Sequence, residues 1–180
     1  AVLGNHDYWE DKTVQRLGQG VPVARRALER AGIPVYENDA VRLTKDNRPF
    51  WLAGLGDQLA FMAARRYRHV ARIGVDDLNA TLAKVTDDAP VILLAHEPDV
   101  ALRVPSRVAL QLSGHTHGGL IVGIDRLAAP ANAGFVSGRY DVDGMTLYVN
   151  NGTALWPGFA LRLGRPSELT RITLRMAGDA

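Results

Sequence analysis

The sequence contains no cysteine, which excludes disulfide bonds, thiolate nucleophiles and metal sites built on thiolates. A transition metal would have to be bound by histidine, asparagine, aspartate, glutamate or backbone oxygen. The sequence also lacks any apolar run near the roughly 20 residues of a membrane-spanning helix, and it contains no signal peptide or other targeting segment. We therefore expect a protein that is cytoplasmic or peripheral at the membrane.

An excess of charge of one sign is also missing. The chain has 21 basic and 19 acidic residues among 180, for a net charge of +2, and its arginines are dispersed. A nucleic-acid-binding domain is usually more basic and often interleaves its basic residues with aromatic ones. Nucleic acid is therefore not the favoured partner. Apolar residues make up 47% of the chain, enough for a single domain over residues 1–180 with a hydrophobic core.

Apolar patterning indicates a mixed α/β fold. Residues 22–31 carry apolar side chains at helical spacing, begin with a proline suited to a first helical turn, and precede Gly32, which is typical of the position after a helix. Further helices are predicted over residues 60–69 and 76–85. Short apolar runs predict strands at residues 2–3, 33–36, 41–43, 50–53, 91–95, 108–112, 139–142, 145–149 and 169–174.

Four of the five histidines lie in motifs that follow segments predicted as strands. They belong to three motifs, Asn5-His6, the lone His96, and His115-x-His117. In open α/β sheets, ligands bind beyond the carboxyl ends of the strands. We therefore expect these motifs to converge on one place in the fold, although they lie far apart in the sequence.

Glycines surround the His115-x-His117 pair, at positions 114, 118 and 119. Glycine permits unusual backbone angles and a close approach of the chain to a ligand. On such a turn the two imidazoles can diverge toward two neighbouring cations. A His-x-His pair by itself is more often a surface loop, but its occurrence with the two other motifs favours a metal site.

Three segments resemble the last three signature blocks of the calcineurin-like metallophosphoesterases: Gly4-Asn5-His6-Asp7, His96 after its apolar strand, and Gly114-His115-Thr116-His117. Residues 93–99, 112–119 and 161–169 resemble a bacterial branch that contains membrane-associated phosphohydrolases. The resemblance implies a four-layer α/β/β/α sandwich that lacks its N-terminal strand–helix units. It also implies a metal-dependent phosphohydrolase that cleaves a phosphomonoester, phosphodiester or pyrophosphate bond.

The resemblance also implies a role for each motif residue. Asn5, His96 and His115 would bind one metal of a dinuclear pair, and His117 would bind the other. The metals would be divalent or trivalent ions of manganese, zinc, iron or nickel in the full-length protein. His6 is not a ligand in this pattern and would lie near the leaving-group oxygen of the phosphate-ester substrate.

Asp7 follows His6 and would orient and polarise its imidazole, as a carboxylate does for other catalytic histidines. Glu97, next to His96, either supports the site from behind the ligands or is exposed. Trp9 either shapes a substrate pocket or packs beneath the site.

The chain lacks the two acidic blocks with which this family begins, Asp-x-His and Gly-Asp-x-x-Asp. Their acids include the carboxylate that bridges both metals, so we expect a missing N-terminal segment, one bound ion or none, and weak hydrolysis by this chain. The nearest acidic fragment is Asp57, which either lines the site or is an ordinary loop acid. A non-catalytic metal- or phosphate-binding scaffold is the alternative function.

Two kinds of association are also predicted. The absence of upstream strands would leave the strand at residues 2–3 with an exposed edge, which favours a homo-oligomer. Basic residues near position 66, with neighbouring apolar ones, could form an amphipathic surface for peripheral membrane contact. The residues of that surface are Phe61, Met62, Arg65, Arg66 and Arg68.

Overall fold

The computed structural model describes residues 1–62, 73–123, 129–156 and 160–175. Within these ranges the α-helices are α1 (Asn5–Trp9), α2 (Lys12–Leu17), α3 (Val23–Arg30) and α4 (Leu78–Ala83). The strands are β1 (Asp39–Lys45), β2 (Arg48–Gly54), β3 (Val91–Leu94), β4 (Val108–Ser113), β5 (Gly138–Val142) and β6 (Met145–Val149). Among the described residues, no helix has both the length and the apolar character needed to cross a membrane.

The strands form one six-stranded sheet in the order β1-β2-β3-β4-β6-β5. The four central strands are parallel, and β1 and β5 lie antiparallel at the two edges. Two-residue turns at 46–47 and 143–144 join each edge strand to its neighbour, and both residues of each turn have positive φ, as type I′ hairpins require. The strands predicted at 41–43, 50–53, 139–142 and 145–149 are confirmed and form these two hairpins.

The central strands are buried because their apolar runs cover both faces of the sheet. In β3, Val91 and Leu93 are fully buried and Ile92 is nearly so, as expected of a central parallel strand. Leu94 of β3 lies opposite Leu112 of β4. The two strands therefore end side by side, and the residues that follow them leave the sheet at the same edge.

A second, smaller apolar cluster fixes α1 beside that edge. Tyr8 is buried and its ring packs edge-on against Phe61, with 6.2 Å between centroids. Trp9 Nε1 donates a hydrogen bond of 2.8 Å to the carbonyl of Leu59, and Gln15 Nε2 donates one of 3.0 Å to the carbonyl of Tyr8. These contacts hold the short helix in place, and its first turn then faces the end of β3.

Three predicted strands are wrong. Residues 2–3 and 33–36 run close together and share the bond from Tyr36 N to Ala1 O, but they form no ladder. The segment 169–174 is also not a strand, and Leu169 within it is 94% exposed. A short apolar run has the same pattern whether or not a partner strand lies beside it, so the sequence could not separate these segments from true strands.

The mixed α/β class and the helices predicted at 22–31 and 76–85 are confirmed by α3 and α4. The six-stranded sheet formed by the described residues is consistent with the α/β fold that the resemblance implies. Residues 2–3 do not form a strand, so they present no exposed strand edge. The homo-oligomer stays a prediction, but this edge no longer supports it. Most of the helix predicted at 60–69, with the arginines of the predicted membrane surface, lies outside the described residues.

Candidate metal centre

Three side chains that are far apart in the sequence, all of types that can bind metals, meet at the carboxyl edge of the sheet. The Oδ1 atom of Asn5 lies 3.1 Å from Nε2 of His96. The rings of His96 and His115 have centroids 5.1 Å apart and stand at 81° to one another. All three residues line one cavity of about 480 Å³, together with His6 and His117. The structure thus brings together the side chains that the strand ends predicted would converge.

Gly4 determines how closely α1 approaches the end of β3. A Cβ atom at this position would lie 2.6 Å from Cε1, 2.7 Å from Nε2 and 2.8 Å from Nδ1 of His96. Real Cβ atoms do not approach ring atoms so closely, so only glycine lets the helix start against the imidazole. The close approach places Asn5, the first residue of α1, within contact distance of His96.

The two histidines of the His-x-His pair have different neighbours. His115 has φ 67° and His117 has φ 52°, both in the left-handed region that few side chains adopt. Thr116 between them is buried, and its hydroxyl donates a hydrogen bond of 2.6 Å to the carbonyl of Val136. The turn is therefore anchored at its centre. His115 faces His96, and His117 packs toward Trp156 with 6.4 Å between ring centroids.

The ring orientation of His117 is set by a backbone carbonyl. Its Nδ1 atom lies 3.1 Å from the carbonyl oxygen of Ala154. Since a carbonyl oxygen only accepts hydrogen bonds, Nδ1 must carry the proton, and the Nε2 lone pair is left for a cation. This arrangement is the usual one for a metal-binding histidine.

His6 lines the same cavity but has a different partner from the one predicted. Its Nδ1 atom lies 3.9 Å from the Glu10 carboxylate, and its ring centroid is 5.0 Å from that of Trp9. The Asp7 carboxylate instead accepts a hydrogen bond of 2.8 Å from the Gly4 amide, which caps α1. The catalytic roles of His6 and Asp7 stay predictions, and Glu10 is a neighbour of His6 that the sequence did not single out.

The imidazoles of His96, His115 and His117 are held in the neutral form that binds metals. Burial, and to a smaller extent the neighbouring histidines, lower the pKa of His96 to about 3. Burial also lowers the pKa of His115 and that of His117. A cation would therefore displace few protons from these rings at neutral pH.

A buried carboxyl pair lies behind the histidines. Asp57 is 1% exposed and Glu97 is 4% exposed. Desolvation and the adjacent Glu97 charge raise the pKa of Asp57 to about 9, and desolvation raises the pKa of Glu97. Asp57 Oδ2 and Glu97 Oε1 have no hydrogen-bonding partner among the described residues, and a proton shared by the two groups would satisfy both.

Asp57 is not among the described residues that line the cavity. It is also buried, so it is not an ordinary exposed loop acid. The alternative that Glu97 supports the site from behind is the one that fits. One of its carboxylate oxygens lies within 4.8 Å of ligating ring atoms of His96 and His115.

The donor set suits a transition metal. An amide oxygen from Asn5 and neutral imidazoles from His96 and His115 are ligands for zinc, manganese, iron or nickel, and they share one cavity. His117 offers a further nitrogen on the same cavity wall. The residues present therefore fit the first cation well and the second only in part, because the chain lacks the bridging carboxylate of the family pattern.

A polar loop after β6 completes the cavity and was missed by sequence reasoning. The residues of this loop that line it are Asn150, Asn151, Gly152, Thr153, Ala154 and Leu155. β6 lies parallel beside β4, so its carboxyl end reaches the same edge as the histidine motifs. The signal was available, because the asparagine pair follows an apolar strand just as the histidines do.

Raising the pH from 7 to 9 should lower the thermal unfolding midpoint. Folded Asp57 holds its proton up to about pH 9, whereas the unfolded chain releases it near the ordinary value of 3.8. The stabilisation is thus complete below pH 3.8 and is lost progressively as the pH rises through the folded pKa. Asp57→Asn cannot titrate, so its midpoint should change less over this range in scanning calorimetry.

The matched control is Asp143→Asn, at an exposed hairpin turn with φ 51° that asparagine also adopts. It should follow the unmodified chain at every pH. His96 does not disturb the comparison, since its lowered pKa affects stability only in the acidic range. Identical slopes for the unmodified chain and Asp57→Asn would show that the buried pair holds no shared proton.

Several curated proteins are similar to this chain over nearly all of its length. The metallophosphoesterase YkuE of Bacillus subtilis is 31% identical over 180 residues, which is 97% of this chain and 55% of that protein. A transmembrane protein with metallophosphoesterase domain from Danio rerio is 33% identical over 98% of this chain and 38% of its own length. A Campylobacter jejuni metallophosphoesterase is 40% identical over 69% of this chain and 31% of its own length.

This chain spans about half or less of the length of these three relatives. No family model matches the chain, and no solved structure matches it. The relatives nevertheless share the name metallophosphoesterase, and the similarity of two of them extends over 97% and 98% of this chain. On this similarity, and on the fold and cavity described above, the chain belongs to the calcineurin-like metallophosphoesterase family.

Proposed function

We propose that this chain supplies the asparagine- and histidine-bearing half of a two-metal centre that hydrolyses a phosphomonoester, phosphodiester or pyrophosphate bond. The observation that carries the proposal is the meeting of Asn5, His96 and His115 in one cavity, with 3.1 Å between the Asn5 oxygen and a His96 nitrogen. The relatives' shared name supports the reaction class.

Asn5, His96 and His115 would hold one cation, and the Nε2 atom of His117 would face the other. When bound, the two cations would polarise the phosphoryl oxygens and activate the attacking water. The chain itself would hold the ligand side chains in fixed positions. The absence of a side chain at Gly4 lets α1 pack directly against His96, and the buried Thr116 anchors the turn that carries His115 and His117.

His6 would give a proton to the departing oxygen of the substrate. It lies on the cavity wall, and its side chain is 43% exposed, so a substrate can reach it. The Glu10 carboxylate lies 3.9 Å from the Nδ1 atom of His6. The Trp9 ring packs against the imidazole, with 5.0 Å between ring centroids.

The alternative function, a non-catalytic metal- or phosphate-binding scaffold, rests on the absence of both acidic blocks from the 180 residues. The two proposals differ in what an added acidic half does. An enzyme gains turnover when the chain is joined to a segment with the Asp-x-His and Gly-Asp-x-x-Asp blocks. A scaffold keeps its affinity for a cation or for phosphate and gains no turnover.

In a protein that contains both halves, we expect hydrolysis of bis(p-nitrophenyl) phosphate or p-nitrophenyl phosphate in the presence of Mn²⁺. EDTA should remove the activity, and added Mn²⁺ should restore it. His6→Ala should lower kcat by about 100-fold or more, the usual contribution of general acid catalysis, while bound metal is unchanged by plasma mass spectrometry.

The chain alone should hydrolyse both substrates far more slowly than the joined protein. Turnover by the chain alone at the rate of the joined protein would contradict the two-half account. Tight metal binding by the joined protein with no turnover of any phosphate ester would favour the scaffold.

A further inference from the structure

Arg162 makes an unusual set of contacts at the back of the cavity. Its guanidinium donates hydrogen bonds to backbone carbonyls and to no side chain among the described residues. The acceptors are His117 O at 3.1 Å, Arg165 O at 3.3 Å, Asn151 O at 2.9 Å, Gly152 O at 3.3 Å and Ala154 O at 2.5 Å.

Four of these carbonyls belong to His117 or to the loop after β6, and that loop lines the cavity. The carbonyl of Ala154 is the same atom that receives the proton of His117 Nδ1, at 3.1 Å. Arg162 therefore holds the acceptor that orients the His117 ring, and it also holds the backbone of His117 itself. One side chain connects the ligand, its orienting group and the intervening loop.

We infer that Arg162 is a positioning residue, which fixes the ring orientation and tautomer of His117 so that Nε2 faces the second cation. This inference rests on the proposed role of His117 as a ligand. It assigns a role to a residue of the segment 161–169, for which the sequence motifs indicated no function.

The contact geometry requires arginine. A guanidinium is planar and presents its donors in a fixed fork, so it can bond carbonyls that lie in different directions at once. A lysine ammonium is a compact group with three donors on a flexible stem. It could hold one or two of these carbonyls, but not His117, Asn151 and Ala154 together.

The backbone near Arg162 is anchored independently of its side chain. Leu163 N donates to Leu120 O at 2.9 Å, and Val122 N donates to Leu163 O at 3.0 Å. Glu168 N donates to Gly152 O at 2.9 Å. Removal of the guanidinium should therefore leave the tail attached, and its effect on His117 can be measured in a folded chain.

The test is long-range ¹H–¹⁵N spectroscopy of the histidine rings in the metal-free chain, with His117 assigned from His117→Gln. In the unmodified chain the His117 ring should be protonated at Nδ1. In Arg162→Ala and Arg162→Lys it should shift toward the Nε2–H form or to a mixture. Millimolar methylguanidinium should return the Nδ1–H signature to Arg162→Ala.

The matched control is Arg107→Ala. Arg107 also donates to a backbone carbonyl, that of Asp87 at 2.5 Å, but it precedes β4, at the opposite end of the strand from His115. This variant should leave the His117 spectrum unchanged. An unchanged His117 spectrum in folded Arg162→Ala would overturn the inference. Should Arg162→Ala not fold, Arg162→Lys decides in the same way.

A second readout concerns the cation. In a protein with both halves, Arg162→Lys should weaken binding of the second Mn²⁺ by about 10- to 100-fold, as loss of a hydrogen-bonding partner behind a ligand usually does. Failure of the proposed function is distinguishable, because it would appear as no metal binding in the unmodified protein. The ring spectrum tests the role of Arg162 in either case.

Discussion

His96→Ala should strongly weaken cation binding by this chain, whereas His6→Ala should leave it intact. His96 is the side chain nearest to both other ligands of the proposed first site, 3.1 Å from the Asn5 oxygen and edge-on to His115. Loss of a mere supporting hydrogen bond behind a ligand weakens metal binding by about 10- to 100-fold. Loss of the ligand itself should therefore weaken it by about 100-fold or more.

Isothermal titration of each variant with Zn²⁺ measures this difference directly. His6 is the suitable control, because it is a histidine on the same cavity wall that the proposed mechanism leaves off the metal. Equal loss of affinity in both variants would mean that His6 is a ligand. Unchanged affinity in His96→Ala would mean that the cation binds elsewhere.

Gly4→Ala should damage the site nearly as much, although it removes no ligand. The added methyl group would lie 2.6–2.8 Å from three atoms of the His96 ring, so either the ring or the start of α1 must move. Overpacking of this kind usually costs about 1–3 kcal/mol of folding free energy. The movement should also separate Asn5 from His96, so we expect a loss of Zn²⁺ affinity of about tenfold or more.

Gly114→Ala is the matched control. It adds the same methyl group to the same cavity wall, but its Cβ would meet no atom within 4 Å. Its thermal midpoint and Zn²⁺ affinity should stay close to those of the unmodified chain. Equal effects of the two alanines would show that the close approach of Gly4 to His96 is not what assembles the site.

The location of the site followed from sequence because it depends on a simple rule of sheet geometry. Apolar runs predicted β3 and β4, and the rule that ligands gather at the carboxyl ends of parallel strands predicted the meeting of His96 with His115. The His-x-His pair was informative for a similar reason, since its flanking glycines indicated a turn and not a strand.

The parts that the sequence did not reveal depend on contacts between distant segments. Neither Gly4 nor Arg162 has a local pattern that indicates its role. Gly4 matters because of one ring 92 positions away in the sequence, and Arg162 because of carbonyls that no side-chain pattern reports. The burial of Asp57 with Glu97 is likewise a property of the folded chain.

The predictions of strands at 2–3, 33–36 and 169–174 were wrong because a local pattern was taken as evidence of a partner strand. These segments are apolar, but they pack against other groups or face solvent and have no hydrogen-bonding partner strand among the described residues. A local pattern reports what a segment could bury. It does not report whether a neighbouring strand is present to pair with it.

The most direct test of the shared site is anomalous diffraction at the zinc edge from crystals of this chain grown with Zn²⁺. We predict a peak about 2.0–2.2 Å from Oδ1 of Asn5 and from one ring nitrogen each of His96 and His115. A peak bound by Glu97 without Asn5, or no peak at this edge of the sheet, would contradict the account.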